Sequence, residues 1–158
     1  ESFTPGRPVL EAALELATRI RSDFVYDTDA TAVDTDPVHA FALRRGVCQD
    51  FAHIMIAGLR GLGLAAGYVS GFLRTVPPPG QPRLEGTDAT HAWVSLWCGQ
   101  GGWVGLDPTN GIYAGSDHVR IAEGRDYADV APLDGIIWSG AGHSLSVAVD
   151  VVPVEGQA

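Results

Sequence analysis

The spacing of apolar residues changes once along this chain, near Gly61, and that change limits the folds open to it. Before this point the apolar residues recur every three or four positions, which is the spacing of one face of a helix. After it they alternate, most clearly across residues 91–98, as expected for strands. Helices followed by mostly sequential strands predict an α+β fold with an antiparallel sheet.

Three helices are predicted in the first part of the chain. The first covers residues 8–24 and the second, a short one, covers residues 37–44. The third begins at Cys48 and ends near Gly61 and Gly63. We expect it to bury one apolar stripe, which comprises Phe51, Ile54, Met55, Gly58, Leu59 and Leu62.

The rest of the chain is predicted to form strands and loops. The strands cover residues 66–74, 91–98, 103–107, 118–121, 136–138 and 143–152. Residues 26–36, rich in Asp and Thr, and residues 75–88, with four prolines, are predicted to be loops. A turn at residues 100–102 makes a hairpin of the strands on either side of it.

Composition and charge exclude several classes of protein. The chain has 158 residues, which fits a single domain over residues 1–158, with residues 1–6 and 154–158 frayed. The net charge is −9, from 10 basic and 19 acidic residues, so the basic surface of a nucleic-acid-binding protein is missing. No apolar run approaches the roughly 20 residues of a membrane-spanning helix, so we expect no membrane partner.

The first residues carry neither an initiator Met nor the basic and apolar regions of a signal peptide. We therefore expect the sequence to be a piece of a longer protein. Without a targeting signal in it, a cytoplasmic location is expected.

Cys48 is the first candidate for chemistry. The two cysteines, Cys48 and Cys98, are too few for a disulfide framework and lack the spacing of a structural zinc site. A thiol is a useful nucleophile only as a thiolate, and the positive end of a helix dipole favours that form. Cys48 at a helix start therefore fits a nucleophile, although a lone free cysteine also fits a small core residue. Its backbone N–H is a natural oxyanion donor.

His91 and Asp107 can complete such a site. Alternation places His91 on one face of its strand with Trp93 and Ser95, and a helix packed on that face would bring Cys48 to the imidazole. Cys98 would then point away. The hairpin brings Asp107 near His91, where a carboxylate can orient the ring and steady its charge. The alternative interpretations are a core histidine and a turn-capping aspartate.

Other polar residues are interpreted as structural. Asp50 suits the first turn of its helix, and His53 lies on a different side of the helix from Cys48. Three further histidines, His39, His118 and His143, fall on different elements, so we expect no metal site and no cofactor. Trp93 and Trp97 fit either a substrate groove or core packing.

Five stretches of the chain together resemble the transglutaminase-like superfamily, and specifically its bacterial branch. They are residues 45–53 (RGVCQDFAH), 67–71 (GYVSG), 90–94 (THAWV), 102–110 (GWVGLDPTN) and 124–130 (GRDYADV). Each stretch is weak alone, but all of them in order at this spacing are specific.

The resemblance implies a papain-like α+β core with N-terminal helices, a catalytic Cys at a helix start and an antiparallel sheet. It implies acyl transfer through a thioester on a protein or peptide substrate, with Cys48, His91 and Asp107 as the catalytic triad. Relatives also use an aromatic or amide side chain as a second oxyanion donor, for which Tyr26 and Gln49 are candidates. The calcium site of the animal enzymes is not recognisable.

Three functions stay open at this point. An amidase or peptidase is favoured over a protein cross-linking transglutaminase, because hydrolysis of the thioester needs only access for water. The third function is a non-catalytic binding domain that has kept the fold. Arylamine acetyl transfer also uses Cys, His and Asp, but the chain has no basic or Gly-rich loop to cradle the phosphates of an acyl-CoA.

Overall fold

The computed structural model describes residues 1–74, 79–82, 90–131, 149 and 151. Four α-helices lie within these residues, α1 (Val9–Asp23), α2 (Pro37–Leu43), α3 (Cys48–Gly61) and α4 (Tyr127–Val130), and a short 3-10 helix covers Gly99–Gly101. The seven strands there are β1 (Val25–Tyr26), β2 (Arg45–Gly46), β3 (Ala66–Leu73), β4 (Thr90–Trp97), β5 (Trp103–Asp107), β6 (Ile112–Tyr113) and β7 (His118–Gly124). None of the helices in the described part of the chain is both long and apolar enough to cross a membrane.

Five strands form one antiparallel sheet in the order β6-β5-β4-β3-β7. The two-residue strands β1 and β2 pair in parallel as a separate ribbon. The predicted α+β class is confirmed, as are the three helices and the hairpin of β4 and β5. The sequence did not predict β1, β2 and β6, since a two-residue strand has no periodicity to read. The predicted strands at residues 136–138 and 143–152, and most of the loop at residues 75–88, lie outside the described residues.

The start of helix α3 is fixed by hydrogen bonds to the side chain of Asp50 in its first turn. The Asp50 carboxylate accepts hydrogen bonds from the Val47 backbone N–H at 2.8 Å and the Thr31 hydroxyl at 2.7 Å. Gly46 lets this carboxylate come close, since a Cβ there would lie 2.5 Å from Asp50 Oδ2. The carboxylate satisfies an N–H that the helix leaves unpaired, so Cys48 is fixed as the first helical residue.

The buried face of α3 differs in part from the predicted stripe. Phe51, Met55 and Leu59 are buried as expected, but Gly58 and Leu62 are exposed. Ala52 and Ile56 are buried in their place. The buried stripe is therefore rotated toward Ala52 and Ile56, which share the core cluster with residues of β3 and β4.

Helix α3 also packs on the other face of β4 from the one expected. Its buried side chains share one core cluster with Ala92, Val94 and Leu96. Trp93 and Ser95 lie on the opposite face, beside Gly105 of β5 and His118 of β7. The alternation in β4 was predicted correctly, but the packing of α3 on the His91 face was wrong. Both faces of the strand carry large apolar side chains, so the pattern does not tell which face meets the helix.

Candidate active site

Cys48 is the first residue of α3 and is largely buried, with 7% of its surface exposed. It borders a cavity of about 230 Å³, which is also lined by His91, Tyr26, Gln49, Tyr68 and Tyr127. The thiol donates a weak, long hydrogen bond to the Thr90 carbonyl oxygen, with a sulfur–oxygen distance of 4.0 Å. The chain therefore places the thiol at the positive end of a helix, beside the first residues of β4.

His91 joins Cys48 to Asp107. Its Nε2 lies 2.9 Å from Asp107 Oδ2, and both side chains are fully buried. The other ring nitrogen, Nδ1, is buried and has no hydrogen-bond partner among the described residues. That nitrogen is left for the thiol of Cys48 and for a substrate.

The charge of His91 is set by these neighbours. Burial disfavours the imidazolium, but the hydrogen bond to Asp107 and the interaction with Cys48 outweigh burial and raise the pKa of His91 to about 10. The ring is therefore protonated at neutral pH whenever Cys48 is a thiolate, which is the ion pair that thiol catalysis uses.

His91 reaches the thiol although α3 lies on the other face of the sheet, because β4 and β5 separate at this end. Their pairing runs only from Val94 opposite Leu106 to Trp97 opposite Trp103. Asp107, the next residue of β5, lies beyond this pairing and is paired only on its other side, with Ile112 of β6. His91 thus lies on a part of β4 with no β5 neighbour, where its ring can meet groups from both sides of the sheet.

Asp107 is surrounded by hydrogen-bond donors. Oδ1 accepts from the backbone N–H groups of Thr109 at 2.9 Å and Asn110 at 3.2 Å. Oδ2 accepts from His91, from the Asn110 side-chain amide at 2.7 Å and from His118 Nε2 at 3.0 Å. Burial alone would raise the pKa of this carboxyl, but the donors His118, His91 and Asn110 hold the pKa well below its ordinary value. Asp107 is therefore charged across the physiological range.

His118 is the contact that the sequence analysis missed. The sequence analysis considered it only with His39 and His143, as histidines on different elements that form no metal site. In the structure it lies against Asp107 and packs edge-on against Trp93, with ring centroids 5.2 Å apart. His39 is exposed on α2, and His143 lies outside the described residues. The start of β7 was predicted at this residue, but the path of residues 108–117, which returns His118 to the sheet beside Asp107, has no periodic signal.

His91, Asp107 and His118 also offer three metal-ligand atoms within 4.8 Å of one another. Both Nε2 atoms, however, are directed at the same carboxylate oxygen, 2.9 and 3.0 Å away. A nitrogen that donates a proton to Asp107 cannot at the same time bind a metal ion, so these contacts fit a hydrogen-bonded cluster better than a metal centre.

The two candidates for a second oxyanion donor differ in their surroundings. Tyr26 is held by the pairing of β1 with β2, opposite Gly46, and lines the cavity. Gln49 lines it too, but its side-chain amide donates to the Val33 carbonyl at 2.7 Å. The amide of Gln49 is therefore committed to the loop that precedes α2.

Residues interpreted as structural have structural contacts. His53 Nε2 accepts from the Tyr127 backbone N–H at 3.3 Å, and burial lowers the pKa of His53. Cys98 and Cys48 are free thiols, and burial raises the pKa of Cys98, which packs against the core rather than facing away from it. Trp93 stacks on His91, and Trp97 packs at a tilt against Trp103 at the surface. Neither Trp93 nor Trp97 lines the Cys48 cavity.

Comparison with known proteins gives a consistent result. A sequence profile of the transglutaminase-like superfamily matches residues 2–108. An uncharacterized protein of Mycobacterium tuberculosis is 50% identical over 99% of this chain, and the match spans 52% of that protein. A protein-glutamine gamma-glutamyltransferase of Pseudomonas aeruginosa is 30% identical over 74% of this chain and 19% of its own length.

A solved structure shows the same fold. It is that of a proposed cysteine protease from Cytophaga hutchinsonii, which superposes with a TM-score of 0.65 at 32% identity. The superposition covers 78% of this chain and 39% of that one. This chain therefore corresponds to about half or less of the proteins that it matches.

Proposed function

As the chain belongs to the transglutaminase-like superfamily, we propose that it is an enzyme that transfers or hydrolyses the acyl group of amide or peptide bonds through a thioester on Cys48. The observation that carries this proposal is the chain of contacts through His91. One ring nitrogen is held by a buried, charged Asp107, and the other is left in the same cavity as the thiol.

The first half of the reaction follows from these contacts. The Cys48 thiolate attacks the carbonyl carbon of the amide, and the carbonyl oxygen takes up the negative charge. The Cys48 backbone N–H, at the positive end of α3, donates to that oxygen. The imidazolium of His91 then gives its proton to the departing amine as the C–N bond breaks, which leaves the thioester.

The second half uses the same groups in reverse. Neutral His91 takes a proton from water or from an amine, which attacks the thioester carbonyl. The C–S bond breaks, and the thiolate and imidazolium are restored. Asp107 stays charged throughout and holds the ring with Nε2 toward itself.

Tyr26 is our candidate for the second oxyanion donor. Tyr26 pairs with Gly46, which precedes Cys48 by two residues, and it lines the cavity beside the thiol. Gln49 is the other candidate, and its amide donates to the Val33 carbonyl oxygen.

Hydrolysis is the favoured outcome, since it needs only access for water to the thioester. Cross-linking of glutamine side chains to amines is the second candidate. It is favoured by the Pseudomonas aeruginosa relative, which is named as a protein-glutamine gamma-glutamyltransferase. A peptide or protein substrate fits either outcome.

The experiment is to incubate the protein with a panel of glutamine-containing peptides, with and without a primary amine, and to follow products by mass spectrometry. Cys48→Ser is the inactive variant, and Cys98→Ser is the matched control that leaves the site intact. A cleaved or deamidated product, or amine incorporation, that needs Cys48 and not Cys98 supports the proposal. A product that has gained water indicates hydrolysis, and a product that has gained the amine indicates cross-linking.

A non-catalytic binding domain gives a different result. Peptides would be retained without any change in mass, equally by the native protein and by Cys48→Ser. That result, with no thioester trapped on Cys48 by any peptide in the panel, would count against the enzyme.

A further inference from the structure

His118 lies outside the three residues that a thiol triad requires, yet its ring is almost fully buried against Asp107. Its Nε2 is 3.0 Å from Asp107 Oδ2, the oxygen that also meets His91. Its Nδ1 is 3.2 Å from the backbone nitrogen of Gly115. The imidazole thus has a partner on each nitrogen.

These two partners fix the protonation state of the ring. A backbone N–H can only donate, so Nδ1 of His118 must accept the hydrogen bond from Gly115 and carries no proton. Nε2 then carries the proton of the neutral ring and donates it to the Asp107 carboxylate. His118 is therefore a neutral donor with one tautomer, unlike His91, whose charge changes during the proposed reaction.

The hydrogen bond of His118 stabilises the charged form of Asp107, the buried carboxylate of the proposed triad. A buried carboxylate loses its charge unless donors compensate for the lost water, and a donor to the charged form keeps it ionised. His118 supplies such a donor to the oxygen that holds His91, from a different strand. It also limits the positions that this oxygen can take.

We propose that His118 is a positioning residue, whose fixed hydrogen bond keeps Asp107 charged and directed at His91 and thereby sustains the Cys48–His91 ion pair. This inference rests on the proposed function. Among the residues that the structure describes, the charged or titratable groups near His118 are Asp107 and His91, which its ring meets, and Arg120, which lines the cavity behind the sheet. The neighbouring Asp117 pairs with Arg74 at 3.2 Å.

The alternative is that His118 only fills space beside Trp93. Two variants separate these roles. His118→Phe keeps an aromatic ring beside Trp93 but removes the donor. His118→Gln loses the ring but keeps an N–H that can reach Asp107.

The test is the rate of Cys48 alkylation by iodoacetamide against pH, in a Cys98→Ser background, for the native residue and both variants. We expect the midpoint of thiolate formation to move up by about one pH unit in His118→Phe, because Asp107 can then turn away from His91 and stabilises the imidazolium less. We expect His118→Gln to recover at least half of that shift. Thermal unfolding of each variant measures stability separately.

A His118→Phe profile that superposes on the native one, with only a lower melting temperature, would overturn the inference and leave the proposed function intact. A native protein whose Cys48 titrates as an ordinary thiol overturns the proposed function, and the inference with it.

Nitrogen NMR of the histidine rings in the native protein covers the case in which the variants fail to fold. The inference requires that Nε2 of His118 carry the ring proton that is donated to Asp107 and that Nδ1 carry none. A proton on Nδ1 contradicts it.

Discussion

Asp107 shows how completely a buried residue can be specified by its neighbours. Each of its described hydrogen-bond partners donates: two backbone N–H groups, the Asn110 amide and two histidine rings. Such a set suits a carboxylate, which only accepts. Both carboxylate oxygens of Asp107 face donors. The NH₂ group of an asparagine at this position would therefore face another donor in either orientation of the amide.

Asp107→Asn is therefore expected to be costly despite its equal size. We expect it to lower the free energy of unfolding by about 3 kcal/mol, since it breaks a buried charged network. It should also slow acyl transfer at least about 100-fold, because His91 loses the group that orients it. Urea unfolding and the peptide assay measure the two effects. Native-like stability and rate in Asp107→Asn would show that the carboxylate charge is not needed.

The same pair of proteins tests the pH dependence. The folded state lowers the pKa of Asp107, so its contribution to stability is present above the ordinary value of 3.8 and is lost as pH falls below it. The stability difference between the native protein and Asp107→Asn should therefore shrink as pH is lowered from about 5 to about 2. Other carboxyl groups are common to both proteins and cancel. A difference that is constant over this range would contradict a depressed pKa.

Tyr26→Phe tests the second oxyanion donor. Loss of one such donor is expected to slow acyl transfer by about 100-fold. Alkylation of Cys48 should be unchanged, because it forms no oxyanion. Gln49→Ala is the comparison, and we expect it to act mainly through the loss of its bond to Val33. If Gln49→Ala slows acyl transfer more than Tyr26→Phe does, the assignment is reversed.

At the level of single residues, sequence reasoning located Cys48, His91 and Asp107 because each lies at the end of a regular element, where periodicity fixes its position. The structure brings these three side chains together, and their catalytic role stays a prediction. His118 also begins a strand, but its approach to Asp107 depends on the turn after Pro108 and on the crossing to the far edge of the sheet. Such a path is set by tertiary packing, which a single sequence does not reveal.

Several glycines around the site lie so close to neighbouring atoms that a side chain would clash, and among the described glycines Gly71 on β3 has the shortest such distance. A Cβ there would lie 2.0 Å from the Val119 carbonyl oxygen on β7 and 2.6 Å from the Trp93 ring. The pairing of β3 with β7 also shifts register between Ser70 and Gly71. The missing side chain of Gly71 thus leaves room both for the Val119 backbone and for the Trp93 ring.

Gly71→Ala is expected to destabilise the protein by about 2 kcal/mol or more, because a backbone oxygen cannot move aside as a side chain can. It should also reduce the reactivity of Cys48, since Trp93 packs on His91 and His118. The matched control is Gly58→Ala on α3, where nothing lies within 4 Å. That change should stabilise the helix by roughly 0.5–1 kcal/mol. Equal unfolding midpoints for the two variants in urea would contradict this account.

Helices and strands were easier to predict than the way they pack. The bounds of α1, α2 and α3 follow from apolar spacing together with proline and glycine signals. The face of β4 that meets α3 was predicted wrongly, since Trp93 and Val94 are both large, apolar and buried. The two faces of β4 differ in that the Trp93 ring lies over Gly71 of β3, where no side chain is in the way. The spacing of residues in the sequence does not show that β3 is the neighbour of β4.

On the scale of the whole molecule, the helical layer and the sheet meet at the Cys48 cavity. Helix α3 contributes the thiol and β4 the imidazole that line it, and β5 and β7 contribute the carboxylate and the second imidazole that lie behind His91. These groups lie far apart in sequence, so the site depends on the complete antiparallel order of the sheet. The α+β class could be predicted because the spacing of apolar residues changes once, near Gly61, from that of helices to that of strands.

The most direct test of the central claim is the pH dependence of Cys48 alkylation by iodoacetamide, read peptide by peptide in a mass spectrometer, with Cys98 as the internal standard and His91→Asn as the comparison. We expect Cys48 to react well below the free-thiol pKa of about 8.5, and we expect His91→Asn to move the midpoint of its reaction back toward that value. Cys98, whose pKa burial raises, should react only at higher pH. If Cys48 follows Cys98 in the native protein, or is unaffected by His91→Asn, the ion pair does not form and the thiol-enzyme account is contradicted.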